Sequence, residues 1–535
     1  MERKCGILLP VFSLPSEYGI GGFGSEAFRF IDYLKKAGQT YWQILPLAPT
    51  GYGNSPYSSV AAEIISPYYI SPEVLKEKGL VTEEEIAFSR YGGKLNSAGL
   101  AEEYLRCEER IAKSDEESPK KGDVCSNVKY VDYGFLNEVR FPLLRKAFAR
   151  FDRNTSAFAR AVKEKKYRDY ALFKAIKYAS GNREMTEWDS GLKFRNEAAV
   201  KAFAKDYEEE IAFWEFTAFE AEEEWLKVKA YANKNGIKII GDMPLYVAGD
   251  SVDVWRDPEL FMLDEELKPK LVAGVPPDYF QKDGQLWGNP VYDYVAHERD
   301  GFAWWVHRIT RALSLFDVVR IDHFRGLDRF FVIKAGETSA KGGEWVEVPS
   351  EKLFAAIKKS VPEGCVIAED LGIIDDGVRE LLKATGYPGM KILSFAFNGE
   401  SDNLYLPENI GENSVCYTGT HDNDTLIGLI RAASDWDFNN LTRGVKNSAK
   451  LLFGEERLFK SDEELADTIC ELGFACAANT FILPMQDVLK KGGEYRVNEP
   501  GTVKPQNWAV RFEDEDFSEA GAKNLKMFAV KYKRI

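Results

Sequence analysis

The chain has 535 residues, 45% hydrophobic and 29% charged, a balance that can bury a large core and excludes a mostly disordered protein. Its 70 basic and 85 acidic residues leave a formal net charge of −15, which repels phosphate backbones, so nucleic acid is not an expected partner. No apolar run is long enough to span a bilayer, and no membrane partner is expected.

Near the N-terminus, Arg3 and Lys4 precede an apolar stretch over 5–14 with the outline of a secretory leader. Pro10 and Pro15 interrupt it and no small-x-small cleavage site follows, so export is not expected. The seven cysteines are scattered, without a C-x-x-C spacing. That pattern argues against a disulfide framework or structural zinc and for reduced thiols in a cytoplasmic protein. Four histidines are too few for a His-rich metal site.

A helix followed by a short apolar strand recurs along the chain. Ala27, Phe30, Ile31 and Leu34 keep the spacing of an amphipathic helix, Gly38 ends it, and 41–45 reads as a strand. Residues 72–205 are charged and helical in pattern, and read as a helical insertion subdomain with solvated polar stretches at 83–85 and 114–123. Ile211, Trp214, Ala218, Ala221, Trp225 and Val228 make a second stripe, closed by Asn235-Gly236 and followed by a strand at 237–240. Phe302, Trp305, Ile309 and Leu313 make a third, leading into 318–321. Further short strands are predicted at 365–368, 391–395, 415–417 and 481–483.

Alternating helices and apolar strands predict a parallel sheet covered by helices. Four strands end in carboxylates, at Asp242, Asp322, Glu369 and Asp422. Acids at the C-terminal ends of several strands are the pattern of a (β/α)8 TIM barrel, where all strand ends meet in one mouth. An open doubly wound sheet would need a glycine-rich turn after a strand, and no G-x-G-x-x-G stands there. The whole chain, 1–535, is read as one catalytic barrel. The interval from Asp242 to Asp322 is too long for one βα unit, so 243–296 is read as an insertion after the third barrel strand, carrying an active-site loop.

Strand alternation places Val318, Arg320 and Asp322 on one face. A guanidinium beside Asp322 would hold it ionised and depress its pKa, as a carboxylate nucleophile requires, or the two form a buried structural pair. Glu369 leaves an apolar strand and should be raised by desolvation, which suits a general acid; the other reading is a helix cap. The polar run 418–425, with His421, Asp422 and Asp424, fits either a metal site or a sugar site. Tyr52, Tyr57, Tyr279, Phe280 and Trp287 stand in glycine- and proline-rich stretches, where stacking on a ligand competes with core packing.

Together these residues resemble the 4-α-glucanotransferases (amylomaltases or disproportionating enzymes) of the α-amylase superfamily. The resemblance runs nearly end to end, through Tyr18-Gly19-Ile20-Gly21, 42–49, 51–57, Gly241-Asp242-Met243-Pro244, 274–280, Trp287-Gly288-Asn289-Pro290, 320–326, Ala368-Glu369-Asp370-Leu371-Gly372, 418–425, 498–502 and Asn507-Trp508. It implies Asp322 as nucleophile, Glu369 as general acid/base and Asp422 as the transition-state-stabilising carboxylate. It also implies Arg320, His421, Asp242 and Tyr57 around the donor sugar, and Tyr52 as a second glucan contact. Tyr279, Phe280, Trp287, Asn289 and Asn498 are assigned to substrate binding with them. Two departures are Asn54, where the family has Asp, and Leu429, where it has Trp.

The implied reaction moves segments of maltooligosaccharides and other α-1,4-glucans to the 4-hydroxyl of an acceptor by double displacement, with no cofactor and no metal. Three rivals remain: an α-glucan hydrolase with the same carboxylates, a metal-dependent hydrolase using Asp322, His323, His421 and Asp424, and a non-catalytic glucan-binding protein.

Overall fold

A computed structural model describes residues 3–87, 89–90, 130–277, 282–372 and 374–535. The strands among them are β1 (Lys4–Leu8), β2 (Tyr41–Gln43), β3 (Lys238–Met243), β4 (Leu271–Val275), β5 (Gln285–Pro290), β6 (Val318–Ile321), β7 (Arg329–Lys334), β8 (Glu344–Glu347), β9 (Val366–Ala368), β10 (Gly389–Ile392), β11 (Ser414–Tyr417) and β12 (Thr480–Pro484). Eight close into a barrel in the order β1-β12-β11-β10-β9-β6-β3-β2, with every pairing parallel. Helices including Ser25–Lys36, Glu208–Lys234, Ala303–Leu315 and Asp376–Thr385 connect the strands. The fold is a (β/α)8 barrel.

The sequence reading starts the barrel at 41–45 and misses β1. That strand pairs with β2 and with β12, more than 470 residues away (Lys4 beside Thr480), so its role is invisible to local pattern. Alternation then sorts the side chains. Leu8, Ile240, Val318, Ile367, Val415 and Ile482 fill the barrel interior. Ile7, Ile239, Val319, Val366, Cys416 and Phe481 face the helices.

Among the described residues between β2 and β3 the longer elements are helices, among them Tyr133–Arg150, Arg168–Ala179 and the 27-residue Glu208–Lys234. The last spans about 40 Å at 1.5 Å per residue. It packs on Arg168–Ala179 and is pinned to the barrel layer where Trp225 Nε1 donates to the carbonyl of Leu315 at 2.9 Å. The polar stretch 114–123 lies outside the described residues.

A second, antiparallel sheet lies outside the barrel, in the order β5-β4-β7-β8. Two of its strands come from the β3–β6 connection and two from the β6–β9 connection, which the sequence reading does not foresee. Val272, Phe331, Ile333 and Ala340 form its small core, with Trp345 against it. Among the described residues no helix is long and apolar enough to cross a membrane.

Candidate active site

The parallel register of β3 and β6 sets Asp242 directly beside Arg320. Arg320 Nη1 donates to both carboxylate oxygens of Asp242, at 2.7 and 2.6 Å. Its Nη2 lies 3.0 Å from Asp322 Oδ1, just beyond the end of β6. The Arg320 and Asp242 side chains are buried, whereas Asp322 keeps 28% of its side-chain exposure and faces a cleft. The guanidinium is thus fixed from below and presents its free edge to the carboxyl that borders solvent.

Glu369 follows β9. Its Oε2 accepts from the backbone N–H of His323 at 2.7 Å and its Oε1 from that of Leu371 at 2.8 Å. His323 adopts a left-handed backbone (φ +47°), uncommon for a residue with a side chain, and this turn aims its N–H at Glu369. The neighbouring Asp370 turns away, accepting from the Met390 N–H at 2.5 Å and pairing with Lys391.

Asp422 follows β11. Its Oδ1 accepts from Asn498 Nδ2 at 2.6 Å, and its carbonyl accepts from Arg496 Nη2 at 2.6 Å. His421 stacks on Tyr57 with ring centroids 5.0 Å apart, and Trp508 leans on both rings. The Tyr57 hydroxyl donates to Asp242 Oδ2 at 2.7 Å.

Asp322, His421, Asp422 and Tyr57 border a cleft of about 510 Å³ over the C-terminal ends of the strands, and Glu369 is bonded to the N–H of His323, which also lines it. Among its lining residues, Tyr57, His421 and Trp508 contact one another, as do Asp422 and Asn498. Tyr246, Trp287, Asn289 and His323 line it too, with the Trp287 ring edge-on to His323 at 4.9 Å. Asn289 is held by its amide, which donates to the Val247 carbonyl. Tyr52 stands at the rim, 80% exposed, on a turn where Gly53 and Asn54 are both left-handed. Asparagine tolerates that conformation better than most residues, which accounts for Asn54 locally. Leu429 sits in helix Leu426–Ala432 and does not line the cleft. Tyr279 and Phe280 lie outside the described residues.

The electrostatics correct one expectation. Arg320 does not leave Asp322 with a depressed pKa. Burial pushes Asp322 up to about 8; Arg320 opposes this, and the carboxyls of Asp242, Glu369 and Asp422 add to it. Burial also raises Glu369, against Arg320 and the two backbone N–H groups. Asp322 and Glu369 are both raised beside the one guanidinium, and the proton they retain belongs to the pair rather than to either carboxyl. Burial lowers His421, and it lowers His323 to about 4, so both imidazoles are neutral.

The sequence reading does not single out Tyr246, Arg496 or Trp508 as site residues. Trp508 was legible by the rule that selects Trp287, an aromatic in a polar loop; Arg496 acts through backbone carbonyls and carries no such signal. Among the described residues no group of three or more His, Cys, Asp or Glu side chains is arranged to hold a metal ion.

A closed parallel barrel whose mouth gathers carboxyls, a buried guanidinium and aromatic rings about one cleft defines an enzyme of the (β/α)8 class. The chain belongs to the 4-alpha-glucanotransferase family, whose pattern matches residues 9–516. It is 40% identical over 545 residues to a 4-alpha-glucanotransferase of Thermus thermophilus, covering 100% of both chains. It is 39% identical over 521 residues to one of Clostridium butyricum, covering 96% of this chain and 97% of that relative. An amylomaltase from Streptococcus agalactiae, solved in complex with acarbose, superposes with a TM-score of 0.88 at 35% identity over the full length of both chains.

Proposed function

We propose that this protein transfers segments of α-1,4-glucan from a donor to the 4-hydroxyl of an acceptor glucan or glucose by a retaining double displacement. The observation that carries the reading is Asp322, paired with Arg320, and Asp422 on one cleft, with Glu369 bonded to the N–H of the residue after Asp322, in a chain related end to end to 4-alpha-glucanotransferases.

In the first displacement Asp322 attacks the anomeric carbon while the glycosidic oxygen takes a proton from Glu369, forming a covalent glucosyl–aspartate. Arg320 steadies Asp322 as it becomes an ester. In the second, Glu369 takes the proton of the acceptor 4-hydroxyl, that oxygen attacks the same carbon, and Asp322 leaves. The cycle needs one proton shared between two carboxyls, which the raised pKa values of the cluster supply. Asp422, held by Asn498, faces the positive charge that develops on the sugar. The stacked rings of Tyr57 and His421 offer a flat apolar face to a sugar ring. Trp287, exposed in the same cleft, suits an acceptor sugar, whose presence excludes water.

Incubation of the protein with maltotriose and a chelator tests this. A growing ladder of longer maltooligosaccharides, with glucose released and total reducing ends constant, is expected. Rising reducing ends without longer products would mean a hydrolase. Activity appearing only on addition of a divalent metal would overturn the roles of Asp322 and Glu369.

A further inference from the structure

Arg325 lies three residues beyond Asp322, in the 3-10 turn Phe324–Leu327, and the double displacement leaves it without a task. Its side chain is 5% exposed. Nη2 donates to Asp375 Oδ2 at 3.1 Å, and the guanidinium carbon sits over the Trp345 ring, 4.0 Å from its centroid. Asp375 is six residues beyond Glu369. Its other oxygen caps helix Asp376–Thr385 by accepting from the Val378 N–H at 3.3 Å, and Arg329 at the start of β7 also pairs with it.

The contact therefore joins three pieces. One is the turn that begins at Asp322. The second is the loop that begins at Glu369. The third is the outer sheet, through Trp345 on β8, whose strand β5 carries Trp287 and Asn289 into the cleft. The first two pieces already touch at the reacting end, where the His323 N–H meets Glu369 Oε2 and the Phe324 N–H donates to the Glu369 carbonyl at 3.0 Å. Those two bonds fix one end of the Asp322–Glu369 junction, and Arg325–Asp375 fixes the other.

We propose that Arg325 and Asp375 are positioning residues for the transfer reaction, an ion-paired brace that sets how the Glu369 carboxyl meets the bond being broken at Asp322. The inference rests on the proposed transferase chemistry. Guanidinium geometry matters here, because one planar group must stack on Trp345 and reach Asp375 together, which an ammonium cannot do. Misplacement of a reacting group by about 1 Å costs up to roughly 100-fold in rate, so the effect should fall on turnover.

The test compares wild type, R325K, D375N and the double variant on maltotriose and on α-maltosyl fluoride. Asparagine retains the helix cap, and D375S is the alternative if D375N does not fold. Fluoride departs as the anion when the Asp322–carbon bond forms, so bond cleavage needs no proton from Glu369. Each single variant is expected to lose about 10- to 100-fold in kcat on maltotriose, with KM within about twofold. The burst of fluoride release should fall by less than threefold. The double variant should be no slower than the slower single one, because either change opens the same brace. Unchanged kcat, a loss confined to KM, equal losses on both substrates, or multiplied losses in the double variant would overturn the proposal. Absence of transfer in the wild type would defeat the transferase reading instead.

Discussion

Asp242 holds Arg320 with both carboxylate oxygens from the adjacent barrel strand, and leaves the other guanidinium nitrogen to Asp322. The pair is buried. Losing the Asp242 charge weakens two charge-assisted hydrogen bonds to a buried guanidinium, bonds worth about 1.5–3 kcal/mol each. Asp242→Asn is therefore expected to lose roughly 2–3 kcal/mol of stability in urea unfolding and most of its transfer activity. A variant as stable as wild type would show that Arg320 is compensated from elsewhere.

The Tyr57 hydroxyl and ring do separate jobs. The hydroxyl donates to Asp242, while the ring stacks on His421. Tyr57→Phe keeps the stack and loses the charge-assisted bond, so kcat/KM should drop about tenfold or more. Tyr57→Ala, which loses both, should fall further and raise KM as well. Equal kinetics for the two variants would argue that the ring contributes nothing.

The retained proton makes a prediction about pH. Asp322, which shares the proton with Glu369, is raised to about 8. The two carboxyls need one proton between them for the first displacement, so kcat/KM on maltotriose should fall as pH rises through about 8. A profile still flat at about pH 10 would mean that the proton is held elsewhere or is not needed.

The same group carries a stability signature. An aspartate in the unfolded chain titrates near about 4, so between that value and the folded one the native state binds the extra proton. Wild-type stability should therefore decline as pH rises across this window. Asp322→Asn removes the titrating group and should abolish transfer. Its melting-temperature advantage over wild type should widen from about pH 4 to about pH 8 and then level off. Calorimetry at several pH values checks this, and a constant difference would contradict a raised Asp322.

Trp287 stands partly exposed in the cleft that the Tyr57–His421 stack also lines. Trp287→Ala should raise the KM for maltotriose about tenfold and increase the share of donor lost to water. An unchanged ratio of transfer to hydrolysis would remove Trp287 from the acceptor side.

The sequence alone determined the fold class and the acids at the strand ends. Both rest on local chemistry: apolar periodicity reports which faces are buried, and a carboxylate after a buried strand has few places to go except the barrel mouth. The Arg320–Asp322 proximity was legible for the same reason, since alternate residues share a strand face. Only the tertiary structure decided that Asp242 is the partner that holds Arg320, because this depends on the register between β3 and β6. It alone found β1, whose partner β12 lies at the far end of the chain, and the outer sheet, whose strands come from two separate connections. The direction of the Asp322 shift was likewise beyond a reading of neighbours in sequence. One arginine two residues away lowers the pKa, but burial and three further carboxyls outweigh it, and those are brought together only by closing the barrel.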